Sequence, residues 1–136
     1  MGLPVNRLAI RSVITWVGFV PIAVANGVAR DRLYGQHTSE LAAHQISTVS
    51  GSLAFVAFAY GTLRGSAGRS SVGSAVGIGA AWVSATVVFE FALGRLRHLS
   101  WREMLAAYDL PEGRVWLLFL LVVLLTPSAV RWFDQR

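Results

Sequence analysis

Four long apolar stretches constrain the fold of this chain more than any other feature. They cover residues 8–29, 41–63, 72–94 and 114–130. A helix of about 20 apolar residues crosses the roughly 30 Å hydrocarbon core of a bilayer, and backbone in lipid must satisfy its hydrogen bonds internally. Each stretch is therefore predicted to be a membrane-spanning helix. Short links such as 64–71 predict an all-α, antiparallel up-and-down four-helix bundle that forms one transmembrane domain over 1–136.

The composition agrees with a membrane protein and excludes several other classes. Of 136 residues, 54% are hydrophobic and 14% are charged, whereas soluble domains carry about 25% charged residues. The absence of cysteine excludes disulfide scaffolds, iron–sulfur centres and cysteine nucleophiles. All 12 basic residues are arginines dispersed at the edges of the apolar stretches. Nucleic-acid-binding proteins instead concentrate basic charge, so we expect the lipid bilayer, and no nucleic acid, as the partner.

The N-terminal stretch admits a second interpretation, as a secretion signal. Arg7 and Arg11 precede an apolar run, and residues 23–25 resemble a signal-peptidase site. However, Arg11 and Pro21 leave only a short apolar centre. We therefore expect the stretch to remain as the first transmembrane helix.

The arginine distribution leaves the orientation in the membrane open. Six arginines are expected at the end of the bundle that holds both termini, and six at the opposite end, here called the distal end. The acidic residues are concentrated at the distal end. We expect the protein in the inner membrane of the cell. The asymmetry of the acidic residues favours an orientation with both termini in the cytoplasm.

The link between the third and fourth stretches carries a helix signal of its own. Residues 100–103 fit a capping box, in which Ser100 and Glu103 satisfy free backbone donors. Apolar side chains then recur at helical spacing at Trp101, Met104, Leu105 and Tyr108. The pattern predicts a short amphipathic helix over about 100–109 that lies in the membrane interface or packs on the bundle end.

Alternate threading of the four stretches brings a polar cluster to the distal end. Its members are Asn26, Arg30, His44, Gln45, Glu90, Arg95, Tyr108, Asp109 and Arg114. We expect no comparable group at the end that holds the termini. The cluster is therefore the candidate binding site of the chain.

Glu90 is the most informative member of the polar cluster because apolar residues flank it on both sides. An ionised carboxylate in lipid costs several kcal/mol unless it is paired. Glu90 is predicted to face the bundle, with Arg30, His44 or Arg95 as its partner. Arg95 lies five residues away, about 140° round the helix, which favours the other two. The carboxylate then either holds helix ends together or carries a proton or cation.

No cofactor, metal or enzymatic activity is predicted. His44 and Glu90 need a third ligand to hold a metal, and only Asp109 is a candidate. Haem ligation by two histidines needs a second histidine within the membrane, and His37 and His98 lie in loops. The sequence contains no G-x-S-x-G, H-E-x-x-H or G-x-x-x-x-G-K motif.

Small residues at four-residue spacing predict close helix packing. On the second stretch they are Ala43, Ser47 and Gly51. On the third they are Gly73 and Gly77, extended by Ala80 and Ala81. These faces pack within the bundle or form a homodimer seam. Residues 115–123 of the fourth stretch contain no small residue, which predicts that this helix faces lipid over much of its surface.

Several of these stretches together resemble a group of short bacterial four-helix integral membrane proteins that are uncharacterised. They are Asn26-Gly27-x-x-Arg30-Asp31, Ala43-His44-Gln45-x-Ser47, Phe89-Glu90-Phe91-x-x-Gly94-Arg95, Ser100-Trp101 and Tyr108-Asp109-Leu110-x-x-Gly113-Arg114-x-Trp116. The resemblance implies a bacterial membrane protein. It implies no activity, cofactor or partner.

The leading functional hypothesis is a structural or accessory membrane component. Its polar cluster would fix the bundle, dock a partner in a larger complex, or seat an anionic lipid headgroup at Arg30, Arg95 and Arg114 beside Trp101 and Tyr108. One alternative is a homodimeric proton- or solute-coupled transporter or channel with Glu90 as the carrying group. The apolar middles of the third and fourth stretches disfavour it. Another alternative is a membrane-embedded enzyme that acts on lipid.

Overall fold

The computed structural model describes residues 4–109 and 115–136, and every regular element within these ranges is helical. The α-helices are α1 (Pro4–Ala29), α2 (Glu40–Leu63), α3 (Val72–Leu96), α4 (Trp101–Leu105) and α5 (Trp116–Asp134). A π-helical segment, Arg30–Tyr34, continues α1, and 3-10 turns occupy Ala67–Arg69 and Ala106–Tyr108. The predicted all-α class is confirmed.

Four of the helices are long and apolar enough to cross a membrane. They are Arg7–Tyr34, Glu40–Leu63, Val72–Leu96 and Trp116–Asp134. The four predicted long apolar helices are therefore confirmed, and their length and composition suit a multi-pass membrane protein. The predicted start of the fourth span, at 114, lies outside the described residues, and its helix runs past the predicted end at 130.

Serine side chains begin three of the helices. Ser39 and Ser71 each accept the backbone N–H of the residue three positions later, at 3.0 Å. Ser100 and Glu103 form the complete predicted capping box at the start of α4. The regular α4 is shorter than the predicted helix over 100–109, because the chain tightens into the 3-10 turn at Ala106–Tyr108.

The helices pack in the order α1, α2, α5, α3, and α1 and α3 meet only slightly. A groove of about 420 Å³ separates α1 from α3. Two tryptophans bridge it: Trp16 Nε1 donates to Thr86 Oγ1, and Trp82 Nε1 donates to the Ser12 carbonyl, both at 3.0 Å. Side-chain hydrogen bonds thus join the two helices where backbone contact is sparse.

Contacts between α1 and α2 occur in opposite residue order. The Thr15 hydroxyl lies 2.5 Å from the Thr62 hydroxyl. Asn26 Nδ2 donates to the Ser47 carbonyl at 2.9 Å. Residue numbers therefore rise along α1 where they fall along α2.

The fourth spanning helix, α5, lies between α2 and α3, and it is buried on one side only, since Leu117, Leu118, Leu121 and Leu125 are exposed. That it faces lipid over much of its surface stays a prediction. Its buried residues are Phe119, Leu120, Val123, Thr126, Pro127 and Val130. Phe119 meets Phe55 of α2, with ring centroids 6.1 Å apart. Large apolar side chains suit a bundle core as well as they suit lipid, so their abundance does not distinguish the two.

The small-residue prediction is confirmed on α2 and corrected on α3. Ala43, Ser47 and Gly51 are buried, as are Phe55, Ala59 and Leu63 that extend the same stripe. On α3, however, Gly73, Gly77, Ala80 and Ala81 are exposed, and the buried small residues are Ala75, Gly79 and Gly94. Gly79 lies against the backbone of Leu124 in α5, where a Cβ has no room. The homodimer seam stays a prediction for the exposed glycine face.

The end of the bundle that holds the C-terminus carries a polar network, contrary to expectation. The Asp134 carboxylate accepts the backbone N–H groups of Gly65 and Gly68 at 2.8 Å. Arg131 Nε donates to the Ser70 carbonyl at 2.8 Å. These bonds fasten the link between α2 and α3 to α5. The partners are backbone groups, which carry no mark in the sequence.

Candidate functional site

Two adjoining cavities occupy the distal end of the bundle. The outer cavity, of about 710 Å³, lies among α2, the end of α3, α4 and the start of α5. The inner cavity, of about 430 Å³, continues between the spanning helices as far as Phe55 and Val123. Arg30, Glu90 and Trp116 line both. Each volume lies within the range of about 300–1,000 Å³ usual for ligand sites.

The predicted polar cluster is brought together only in part. Arg30, His44 and Glu90 line both cavities, Asn26 lines the inner one and Tyr108 the outer one. The predicted members outside these linings are Gln45, Arg95 and Asp109. Arg114 lies outside the described residues. The site is therefore narrower than the cluster that the sequence predicted.

Glu90 does not form the predicted ion pair with Arg30, His44 or Arg95. Arg30 Nε instead contacts the carboxylate of its neighbour Asp31 at 2.8 Å. Within residues 4–109 and 115–136, Glu90 makes neither a salt bridge nor a side-chain hydrogen bond. Its side chain is exposed toward the cavities that it lines. Asp31, the neighbour of Arg30 in the chain, lies closer to the guanidinium than Glu90 does. Arg30 therefore pairs with Asp31 and not with Glu90.

The other two predicted partners of Glu90 are engaged elsewhere. His44 Nε2 lies 3.9 Å from Glu40 Oε1, one turn earlier on α2. Arg95 donates to the Leu99 carbonyl at 3.3 Å. Its guanidinium carbon also lies 5.3 Å from the ring centroid of Trp101, a cation–π arrangement. Arg95 therefore joins α3 to the start of α4, on the outside of the site.

Asn26 is a structural bridge between α1 and α2. Its amide nitrogen donates to the Ser47 carbonyl at 2.9 Å and to the Ser47 hydroxyl at 3.1 Å. Its carbonyl oxygen accepts from the Ser50 hydroxyl at 2.9 Å. Because these bonds occupy both ends of the amide, Asn26 positions the wall of the inner cavity.

An aromatic wall closes one side of the outer cavity. Phe91 stacks on Tyr108 and on Trp101, with centroid distances of 6.1 and 5.7 Å. Tyr108 Oη and Trp116 Nε1 are buried, and neither makes a well-formed hydrogen bond among the described residues. Burial raises the pKa of the Tyr108 hydroxyl above its ordinary value of 10.0; the adjacent Trp116 N–H offsets part of this rise, and the Glu90 charge adds to it. Both groups are thus hydrogen-bond donors at neutral pH.

Sequence reasoning missed one residue of the site that a periodic signal identifies. Arg97 lines both cavities, and it lies seven residues after Glu90, two helical turns along the same face. Leu93 and Gly94, at the intermediate positions of that face, also contribute to the outer cavity. Arg95 occurs closer to Glu90 in sequence but on another face of α3.

Metal chemistry finds no support in the described ranges. No group of three His, Asp or Glu residues there could hold a metal ion. Comparison of the chain with protein-family models, curated proteins and solved structures finds no match.

Proposed function

We propose that this chain is an accessory protein of a bacterial inner membrane that holds an amphiphilic lipid in its outer and inner cavities. The four spanning helices form an antiparallel up-and-down bundle, with the distal end at the level of the lipid headgroups. The opposite residue order of the α1–α2 contacts supports this arrangement. So does the contact order of α3 and α5, in which Ser70 meets Arg131 and Gly79 meets Leu124.

The change in character between the two cavities is the observation that carries the proposal. Charged side chains surround the outer cavity: Glu40 and Glu103 line it alone, and Arg30, Glu90 and Arg97 line it where it adjoins the inner cavity. The inner cavity ends in apolar side chains, among them Phe55 and Val123. A wholly polar ligand leaves the inner cavity unfilled, and a wholly apolar ligand leaves the charges without partners. An amphiphile with a polar head and an apolar chain matches both.

A role in which the polar cluster only fixes the bundle has less support. Of the cluster, Asn26 joins α1 to α2 by side-chain hydrogen bonds, whereas Arg30 is bonded to the residue beside it. Other joints between α1 and its neighbours are made by Thr15 and the two tryptophans, which lie outside the cluster. The Glu90 side chain lines the cavities and does not join two helices.

The placement of α4 in the membrane interface belongs to the same proposal. Trp101 is 56% exposed at the distal end, with the Arg95 guanidinium over its ring. Tryptophan and arginine together suit the headgroup layer, where an amphipathic ring and a charge both find partners. This position sets α4 beside the mouth of the outer cavity.

Lipid retention tests the proposal. Ala23 on α1 lines the inner cavity, so Ala23→Phe should fill the space that the acyl chain needs. Ala25 is exposed on the same helix and lies outside the linings of both cavities, so Ala25→Phe is the matched control. We expect the purified full chain and Ala25→Phe to retain lipid through mild detergent, measured by native mass spectrometry. Ala23→Phe should lose it, and equal retention by all three proteins would contradict the proposal.

A proton or cation carrier is a second candidate, because Glu90 is a cavity-facing carboxylate on a spanning helix. Proton flux into liposomes, followed with an enclosed pH dye, tests it. A carrier shows flux that Glu90→Gln abolishes. Flux equal to that of protein-free liposomes excludes it.

A further inference from the structure

We propose that the lipid held at the distal end is a zwitterionic aminophospholipid, whose ammonium group binds the Glu90 carboxylate and whose phosphate binds Arg97, Tyr108 and Trp116. The inference rests on the proposed function and adds the identity of the headgroup. It replaces the anionic headgroup that the arginines alone predicted.

The charge balance of the outer cavity disfavours an anionic headgroup. Among the described residues of its lining, four are acidic, namely Asp31, Glu40, Glu90 and Glu103, and two are arginines, namely Arg30 and Arg97. Arg30 is already bonded to Asp31 at 2.8 Å. Arg95, expected to bind an anion, lies over Trp101 outside the lining. An additional anion therefore meets more negative than positive charge.

Glu90 supplies the site for the ammonium group. The Glu103 carboxylate already accepts the Ser100 N–H in the capping box, and Glu40 lies near His44. Glu90 makes no such contact within the described part of the chain. The aromatic side chains of Phe91, Tyr108 and Trp116 line the same cavity. Aromatic faces beside a carboxylate favour an organic ammonium group.

The phosphate has donors of its own in the same cavity. Tyr108 Oη and Trp116 Nε1 are donors buried beside each other, and neither makes a well-formed hydrogen bond within the described ranges. A buried donor that lacks an acceptor costs free energy, and phosphate oxygens are strong acceptors. Arg97, at the C-cap of α3, lies two turns beyond Glu90, so the positive charge and the negative charge of the cavity are separated along the helix. A headgroup whose ammonium and phosphate groups are a few bonds apart can contact both charges.

Competition between two lipids tests the headgroup. The full chain is reconstituted in vesicles with equal amounts of phosphatidylethanolamine and phosphatidylglycerol, and native mass spectrometry counts the lipid it retains. We expect a preference of about tenfold for phosphatidylethanolamine, which corresponds to a modest charge-assisted contact. Glu90→Gln should reduce that preference to about one, because the neutral amide repels neither headgroup.

A matched control comes from the same cavity. Glu103→Gln removes the same charge, and glutamine also serves in a capping box, so α4 and the preference should both persist. Arg97→Gln should lower retention of both lipids and leave their ratio above one. Thermal unfolding of each variant shows whether it is folded.

The outcomes separate this inference from the proposed function. If neither lipid is retained by the wild-type chain, the proposed function fails. If lipid is retained but phosphatidylglycerol is preferred, or if folded Glu90→Gln keeps the preference, the headgroup assignment fails and the lipid site stands. Decyltrimethylammonium, which has the cation without the phosphate, should displace phosphatidylethanolamine only weakly. Complete displacement at equal concentration would contradict the role assigned to the phosphate.

Discussion

Asp134 and Glu90 are carboxylates near opposite ends of the bundle, and their surroundings give them different roles. Asp134 accepts the N–H groups of Gly65 and Gly68, so its charge is used within the fold. Glu90 faces a cavity. In the sequence, Glu90 stands out because apolar residues flank it, whereas nothing around Asp134 distinguishes it from an exposed acid near a helix end. At the scale of single residues, the partner decides the role.

Asp134→Asn should destabilise the protein by about 1–3 kcal/mol, because it removes the negative charge and puts an NH2 group, which cannot accept, in place of one of the two oxygens that accept the Gly65 N–H. Thermal unfolding in detergent measures the loss. Gln135→Ala is the control, since Gln135 makes one exposed contact with the Gly68 carbonyl at 3.2 Å. Its effect should stay within about 0.5 kcal/mol. Equal melting temperatures for both variants would contradict the role of Asp134.

Asn26→Ala should lower the free energy of unfolding by about 1–2 kcal/mol. The substitution removes three hydrogen bonds between α1 and α2, and such bonds in membrane bundles average about 0.6 kcal/mol each. Ser50→Ala removes only one of the three and should cost about a third as much. Denaturation of both variants in the same detergent gives the comparison. A larger loss in Ser50→Ala would refute the assignment of Asn26 as the bridge.

At the scale of elements, the register of small residues decides which helices meet. On α2 the buried stripe follows the predicted spacing from Ala43 onward. On α3 two small stripes compete, and α5 packs on the one that contains Ala75 and Gly79. Spacing alone identifies a face that permits close approach. It does not identify which of two such faces is used.

Gly79→Leu should therefore destabilise the protein by at least about 1–3 kcal/mol, the usual cost of overpacking, because its side chain would meet the backbone of Leu124. Gly77→Leu is the matched control, since no atom lies near the position of its Cβ. We expect its thermal unfolding to match the wild-type chain. A comparable loss in Gly77→Leu would favour the homodimer seam predicted from the glycine spacing.

At the scale of the whole molecule, four helices long and apolar enough to cross a membrane predict an even number of crossings. On that prediction both termini lie on one side of the membrane, and the link between α1 and α2 lies on the other. Because a groove separates α1 from α3, α3 joins the bundle through its contacts with α5. Assembly of the distal cavities therefore depends on the docking of α5.

Cysteine labelling tests this topology in a chain that has no cysteine of its own. Arg7→Cys and Arg136→Cys should react with a membrane-impermeant maleimide on the same face of sealed vesicles. Gln36→Cys, in the link after the π-helical segment, should react only after the vesicles are opened or inverted. All three positions are exposed. Labelling of the two termini from opposite faces would contradict four crossings.

The site was predictable to the extent that its residues carry a periodic signal. Glu90 and His44 were predicted as members of the polar cluster from an apolar context and from threading, and both line the cavities. Arg97 follows from the two-turn spacing on the face of Glu90, a signal that the proximity of Arg95 obscured. The pairing of Arg30 with Asp31 was not predictable, because two acids compete for one arginine and only their distances decide.

The sequence by itself determined the number of long apolar helices and their approximate bounds, because hydropathy and capping act over a few neighbouring residues. Only the tertiary structure decided that α5 lies between α2 and α3, and that Glu90 opens on a cavity. The physical reason is that lipid and protein core are both apolar. In a membrane, a hydrophobic residue does not reveal which way it faces, and shape and distance between helices make that choice.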